Sequence, residues 1–417
     1  MTEKIIKGSF VSKTIFIINQ YASTPKTGMG GRHYYLAKEL AKQGHKVYLV
    51  AASYTHMLRN LPKVNAEFKT ESVDGFVFVW VRMPGYASAH DKKRVLNWIG
   101  FAWKLLKLPT VIKEKPDVVL VSSPSIFSFL GGQRLAKKLK AKLVFEVRDI
   151  WPLTLVELGG YSVSHPFIRL LQWIENKAYR ESDAVISNLP NAVEHMVEHG
   201  MKREKFSWIP NGLDIDEVSQ AQPLSGHTFS QLPKDKFIVG FAGTLGAAKV
   251  LNNFIDAASL LKDETRLAWV LVGGGKEKQK LQAQCTKLGL VNVHFISPIP
   301  KAQMQSLLTL FDVCYLGWSN KPIYRFGVAA NKIPEYLYSG KPIIHGFSGN
   351  EDAVCKAKAG ISIPAENPQA IADAVLKLKS MSQEERAQLG RNGYDYALKN
   401  HDYAKLAEKL AKVLLDD

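Results

Sequence analysis

Two stretches of this chain combine residue types that can grip a phosphorylated ligand. The first is Gly243-Thr244-Leu245-Gly246-Ala247-Ala248-Lys249. Glycine lets a backbone come close to a ligand, and the free N–H groups that open a helix favour an anion. An ammonium at the end of such a loop offsets negative charge, so the set suits a diphosphate. The loop lacks the Gly-Lys-Ser/Thr ending of a P-loop, and by itself Lys249 reads as a solvated surface lysine. The second stretch runs from Tyr324 to Ile344 and holds Arg325, Asn331, Lys332 and Glu335. Residues 331–339 read as a short helix closed by Gly340. Two cations and a carboxylate there can clamp a nucleotide-sugar, the carboxylate accepting from both ribose hydroxyls. A bare Lys-x-x-Glu pair is ordinarily a surface salt bridge.

Weaker signals accompany these. Gly28-Met29-Gly30-Gly31 and Gly273-Gly274-Gly275 each follow an apolar run. Gly30, Gly31 and Gly274 are candidates for close approach to a ligand, although a tight turn explains them as well. The first loop is not Gly-x-Gly-x-x-Gly, and no acid ends the following strand, which disfavours a dinucleotide. Asp214-Ile215-Asp216 has the spacing of an Asp-x-Asp metal motif, but it follows Asn211-Gly212, so Asp214 reads as a turn or capping residue. His195 and His199 share a helix face without the Glu of a His-Glu-x-x-His zinc site, and they read as surface histidines. No set of carboxylates or histidines has metal-ligand spacing, so no metal and no cofactor is expected.

The elements that must position these residues alternate. Strands are expected at 14–20, 46–53, 75–83, 118–122, 142–147 and 183–189, with helices between them such as 32–43 and 126–140. The pattern restarts at 237–244, then at 267–273, 293–297, 313–318 and 342–347. Such alternation implies α/β architecture with parallel sheets built from βαβ units. Two doubly wound domains are expected, at 1–212 and 213–390, with a last helix in 391–417 packing back on the first. Ligands of such sheets sit at the carboxyl ends of the strands, so the expected site is a central cleft between the domains.

The chain has 417 residues and a net charge of +17. Residues 1–212 carry 31 basic and 17 acidic side chains and the remainder 24 and 21. An anionic partner of the first half is implied. Nucleic acid is not favoured, because no recognised binding motif accompanies the charge. The segment 92–108 offers an apolar stripe of Val95, Trp98, Ile99, Ala102, Leu105 and Leu106, beside Lys92, Lys93, Arg94, Lys104 and Lys107. With Phe101 and Trp103 it suits an anionic membrane surface, while a helix covering a sheet would look similar. The three cysteines, 285, 314 and 355, are far apart and odd in number, and a reducing compartment fits. Residues 1–10 carry no signal-peptide core, and no stretch suits a membrane span. A cytoplasmic protein associated peripherally with the inner face of the membrane is expected.

In order and spacing the glycine loop at 28–31, the Asn211-Gly212-Leu213-Asp214 run, the loop ending in Lys249 and Asn331-Lys332-x-x-Glu335-Tyr336-x-x-x-Gly340-Lys341-Pro342 resemble the family 4 glycosyltransferases of GT-B fold. The segment Phe145-Glu146-Val147-Arg148-Asp149-Ile150-Trp151-Pro152 resembles the subgroup that builds bacterial O-antigen and capsule, including L-fucosamine transferases. The resemblance implies a retaining, metal-independent transferase of the hexosyltransferase type. Its donor would be a UDP-sugar and its acceptor a lipid-linked saccharide or other glycan. It implies that Lys249 meets the donor diphosphate, that Glu335 binds the ribose and that Asp149 lies in the acceptor-side loop. Three positions depart from the pattern. Gly327 stands where the family carries the first glutamate of its E-x7-E motif, Thr244 where an arginine is expected, and Arg148 where a histidine is usual. Arg325 or Lys332 is expected to supply the missing cation. A UDP-sugar 2-epimerase of similar fold and a non-catalytic sugar-nucleotide-binding protein are the alternatives.

Overall fold

The computed structural model describes residues 12–88 and 91–415; the stretch 1–10, read above for a signal peptide, lies outside them. The chain forms two compact units, Met1–Pro210 with Tyr403–Asp417, and Asn211–Asp402.

The first unit is built on an eight-stranded sheet. Its strands are β1 (Thr14–Ile18), β2 (Lys46–Ala52), β3 (Phe68–Val73), β4 (Phe76–Val81), β5 (Val118–Ser122), β6 (Lys142–Val147), β7 (Ala184–Ser187) and β8 (Phe206–Trp208), in the order β3-β4-β2-β1-β5-β6-β7-β8. All pairs are parallel except β3 with β4. The central strands are mostly apolar along their length because helices cover both faces, as parallel sheets require, with Ser122 and Glu146 the polar residues buried near the ends of β5 and β6. β3 alternates intermediate and exposed residues along Phe68-Lys-Thr-Glu-Ser-Val73. It escapes the sequence reading because an edge strand buries too little to look apolar.

The last helix, Tyr403–Leu415, belongs to this first unit. It lays Leu406, Leu410 and Leu414, spaced four apart, against helix Arg32–Lys42, and Tyr403 stacks on Tyr35 at 5.1 Å between ring centres. Each buried leucine contributes roughly 1.5–3 kcal/mol. The preceding helix, Gln383–Asn400, runs unbroken through residue 390 and stays with the second unit. It starts at a capping box formed by Ser382 and Glu385. Gly390 on this helix touches the Gly340 turn, where a Cβ would lie 1.8 Å from the Gly340 carbonyl oxygen.

The second unit carries six parallel strands: β9 (Phe237–Ala242), β10 (Leu267–Val272), β11 (Val293–Ile296), β12 (Val313–Gly317), β13 (Ile343–Gly346) and β14 (Gly360–Ile363). Their order, β11-β10-β9-β12-β13-β14, is that of a doubly wound nucleotide-binding sheet. The order reverses between β9 and β12, so a ligand crevice is expected outside their carboxyl ends. In the first unit the corresponding reversal lies between β1 and β5.

Candidate functional site

At the reversal point of the second unit, three loops and one helix converge. β9 runs out into Gly243 and the loop to Lys249, and helix Leu251–Leu260 follows. Gly243 has φ +139°, and a Cβ there would lie 2.0 Å from Lys332 Nζ. Lys332 opens helix Lys332–Tyr338. That helix is pinned to the end of β9 by the Tyr336 hydroxyl, which accepts from the Ala242 N–H at 2.8 Å. The glycine after β10 is equally constrained, since a Cβ on Gly273 would meet the Gly243 carbonyl at 1.9 Å. Gly274 accepts from the Leu245 N–H, and Gly275 leaves no room for a Cβ against the Leu245 carbonyl. Gly273 and Gly275 are therefore required by backbone meeting backbone, whatever ligand lies above them.

Lys249 sits with its ammonium 3.0 Å from the centre of the Trp318 ring, at the end of β12. The contact joins the loops after β9 and β12 across the reversal point. Burial, reinforced by the charge of Lys332, pushes Lys249 down to about 7. Burial also lowers Lys332, although Glu335 one turn further on opposes it. Burial raises Glu335, and Lys332 works against that rise. Among the described residues neither lysine has a carboxylate within ion-pair distance. Two lysines confined this way, without an ion-pair partner of their own, can take up a doubly charged anion, whose approach would favour their charged forms.

Thr244 and Asn331 are exposed beside this pair. Arg325 is exposed over the Phe326 ring at 4.3 Å, on the short turn Pro322–Phe326. Gly327 follows with φ +93°, a conformation that favours glycine and strains a glutamate. Asn211, which opens the Asn211-Gly212-Leu213-Asp214 run, is buried. It donates to the Ala329 carbonyl at 2.7 Å and to Asn331 Oδ1 at 3.0 Å, holding the approach to helix Lys332–Tyr338. Asp214 caps helix Ile215–Ser219 by accepting from the Glu217 N–H, as expected of a capping residue.

The first unit holds a polar network that the sequence reading missed. Glu146, at the end of β6, is buried with Arg32 and His33, which follow the Gly30-Gly31 loop. Arg32 Nε donates to Glu146 Oε1 at 2.7 Å, and His33 Nε2 lies 2.5 Å from Oε2. Ser122 donates to the same Oε2 at 2.6 Å, and Asn19, after β1, donates to Ser122. Burial alone would raise Glu146, but Arg32 and His33 hold it well below the usual carboxylate range. Burial lowers His33 while Glu146 works against that fall, and Arg32 is the permanent counter-ion of the carboxylate. Gly30 and Gly31 have φ of +68° and +90° and turn the chain into the helix that carries both residues. Two buried nitrogens, Arg32 Nη2 and Arg148 Nε, have no hydrogen-bond partner among the described residues. Asp149 follows on the loop and is exposed, although the protein atoms crowding it raise its carboxyl.

Two expectations are corrected. His195 is buried and lies 3.3 Å from Glu175, which also accepts from the Tyr179 hydroxyl, so it is a core histidine. In helix Lys93–Leu105, three residues of the anticipated membrane stripe, Trp98, Ala102 and Leu105, are buried together with Phe101, packed toward helix Phe127–Leu139, while Val95 and Leu106 are half-buried. The exposed apolar side chains are Leu96, Ile99 and Trp103. Among the described residues no group of three or more His, Cys, Asp or Glu could hold a metal ion, and no helix is long and apolar enough to cross a membrane.

The family description "Glycosyltransferase Family 4" matches residues 27–217 and "Glycosyl transferases group 1" matches residues 227–396. A glycosyl transferase of Escherichia coli K12 with a proposed part in colanic acid biosynthesis is 25% identical over 354 residues, 82% of this chain and 85% of the relative. Among solved structures, sucrose-phosphate synthase of Thermosynechococcus elongatus superposes with a TM-score of 0.73 at 15% identity, over 96% of this chain and 98% of the other. The Anabaena protein HepE in complex with UDP and glucose gives 0.65 at 17% identity, over 96% and 99%. The fold of the chain is that of the GT-B enzymes.

Proposed function

We propose that the chain, whose residues 27–217 match the family 4 glycosyltransferases and 227–396 the group 1 glycosyl transferases, moves a sugar from a UDP-sugar to a lipid-linked or other glycan acceptor in bacterial surface polysaccharide synthesis. The observation that carries this reading is the Lys249 and Lys332 pair at the β9–β12 reversal point, with Glu335 one turn beyond. The lysines suit the donor diphosphate and Glu335 the ribose hydroxyls. The resemblance to the colanic acid relative supports the surface polysaccharide assignment, and the UDP complex of HepE supports the nucleotide.

Transfer proceeds with retention. An acceptor hydroxyl attacks the anomeric carbon on the face that the diphosphate leaves, and its proton passes to a diphosphate oxygen. No protein nucleophile, cofactor or metal takes part. The lysines stabilise the charge that grows on the leaving group, and electrostatic stabilisation of this kind is commonly the largest catalytic contribution. Arg325 stands near the start of the same helix and serves the donor from outside. Asp149 and the unpartnered nitrogens of Arg32 and Arg148 serve the acceptor side of the first unit.

The first unit meets an anionic membrane through Leu96, Ile99 and Trp103, flanked by Lys92, Lys93 and Lys107, all exposed. Such a face suits peripheral attachment to the inner face of the membrane. The deciding experiment incubates the protein with a lipid-linked acceptor and a panel of UDP- and GDP-sugars, read by mass spectrometry. A mass gain of one sugar from a UDP donor is expected. Transfer only from GDP-sugars, or epimerised donor with no transfer, would overturn the proposal.

A further inference from the structure

The Lys249 ammonium rests on Trp318, and Trp318 is itself held. Its indole N–H donates to His345 Nε2 at 3.0 Å, and both side chains are buried, His345 completely. An indole can only donate, so Nε2 is the unprotonated ring nitrogen and Nδ1 carries the hydrogen. Nδ1 lies 2.9 Å from Asp352 Oδ1 and donates to it. The same oxygen accepts from the Val354 N–H at 2.8 Å, which fixes the carboxylate to the backbone. Burial would raise Asp352, yet its hydrogen bond with His345 leaves it lowered, so it remains a charged acceptor. Phe347 stacks on the imidazole at 5.2 Å, and Tyr324 packs edge-on against the indole at 5.5 Å. Gly317 brings the strand end up to the loop, since a Cβ there would lie 2.9 Å from the Lys249 carbonyl.

A tryptophan that only filled space would need none of this, because an indole N–H needs one partner and a nearby carbonyl serves. Here the partner is a histidine whose tautomer is set by a carboxylate, and the ring so oriented presents its face to the one lysine that closes the glycine loop.

We propose that Trp318, His345 and Asp352 are positioning residues of the donor site, an indole–imidazole–carboxylate relay that fixes the ring on which the Lys249 ammonium rests and aims that ammonium at the donor diphosphate. The inference rests on the reading of Lys249 as a diphosphate ligand. None of the three touches the reacting atoms; each acts through Lys249. The arrangement keeps a cation in place before the ligand arrives, at a point where burial would otherwise drive it toward neutrality or toward solvent. A ring face stabilises an ammonium most when water is excluded.

The test titrates UDP into the full-length protein by calorimetry at pH 7, with thermal unfolding recorded in parallel. Trp318→Leu and His345→Phe are expected to weaken UDP roughly 3–30-fold, the range for a partly desolvated cation–ring contact. His345→Gln, whose amide oxygen can accept the indole N–H, is expected to stay within about 2-fold of wild type. In a Lys249→Met background Trp318→Leu is expected to add nothing, because residues acting through one group are not additive. If His345→Phe lowers the melting temperature but leaves UDP affinity unchanged, the residues are structural and the inference is overturned. Additive losses in the double variant overturn it as well. If Lys249→Met alone leaves UDP affinity unchanged, the donor reading itself falls, a result separable from the other two.

Discussion

Replacing Lys249 by methionine should make the unliganded protein more stable while removing its response to UDP. The side chain is confined, and burial together with Lys332 brings it from 10.5 to about 7. At about 1.36 kcal/mol per pH unit the gap amounts to about 5 kcal/mol. Solvent reaches part of the side chain, so about 2 kcal/mol is the working value. A lysine held low in the fold costs stability in full below pH 7. The cost shrinks between pH 7 and 10.5, where the unfolded chain binds more protons than the folded one, and is gone above. Methionine keeps the length of the chain and makes a favourable contact with the Trp318 ring. For a unit of this size about 2 kcal/mol corresponds to a rise of roughly 4–8 °C in melting temperature. The assay is calorimetric unfolding of wild type and Lys249→Met at pH 6.5 and 9.5, with and without UDP. The variant should melt higher at pH 6.5, and the difference should narrow at pH 9.5. UDP at a hundred times its Kd should stabilise the wild type by about 2.7 kcal/mol and the variant by much less. A variant that melts lower at pH 6.5, or gains as much from UDP as the wild type, would refute the reasoning.

Other outcomes follow from the same geometry. Glu335→Ala should weaken UDP by about 1.5–3 kcal/mol for each charge-assisted bond lost, measured by titration calorimetry; equal affinity sinks the ribose assignment. Glu146→Ala strands Arg32 in a buried site, where both side chains are 1% exposed. It should cost about 3–5 kcal/mol in denaturant unfolding, and a loss under about 1 kcal/mol would contradict the network described for the first unit. Transfer activity should persist in EDTA; strict, saturable dependence on Mn²⁺ or Mg²⁺ would bring Asp214 and Asp216 back into consideration. Co-sedimentation with anionic vesicles should fall at high salt and on Trp103→Glu. Equal recovery in the supernatant with and without anionic lipid would rule the membrane face out.

The cluster at the β9–β12 reversal point was legible because its parts lie at or near strand ends, and strand ends are what periodicity locates. Gly243 to Lys249 follows an apolar run directly, and Lys332 and Glu335 sit three apart before a glycine stop, so their chemistry could be read without knowing what they touch. Trp318 and His345 are separated by 27 residues and meet only because β12 and β13 pair in register. Nothing local to either residue marks it. The Arg32 and Glu146 pair spans 114 residues, yet it left traces. A glutamate inside the apolar run Leu143 to Val147 is a buried charge that requires a partner. The Gly30-Gly31-Arg32-His33 turn was read for its glycines alone.

Helix Lys93–Leu105 carries the sharper lesson about faces. It is apolar over most of its circumference, so a stripe of Trp98, Ala102 and Leu105 and a second of Leu96, Ile99 and Trp103 are both present in the sequence. Periodicity shows that stripes exist but not which one the fold covers. The decision lies in another helix. A Cβ on Gly131 would fall 2.1 Å from the Ala102 carbonyl, so helix Phe127–Leu139 approaches at Ala102 and takes that side into the core. The Gly131-Gly132 pair is a local sign of such an approach, since adjacent glycines inside a helix cost stability unless something packs against them. With the Ala102 side covered, Trp103 is left 69% exposed beside the exposed Lys107. An indole of that size held in water on a basic face is the reason to look for lipid at Trp103 rather than at Trp98.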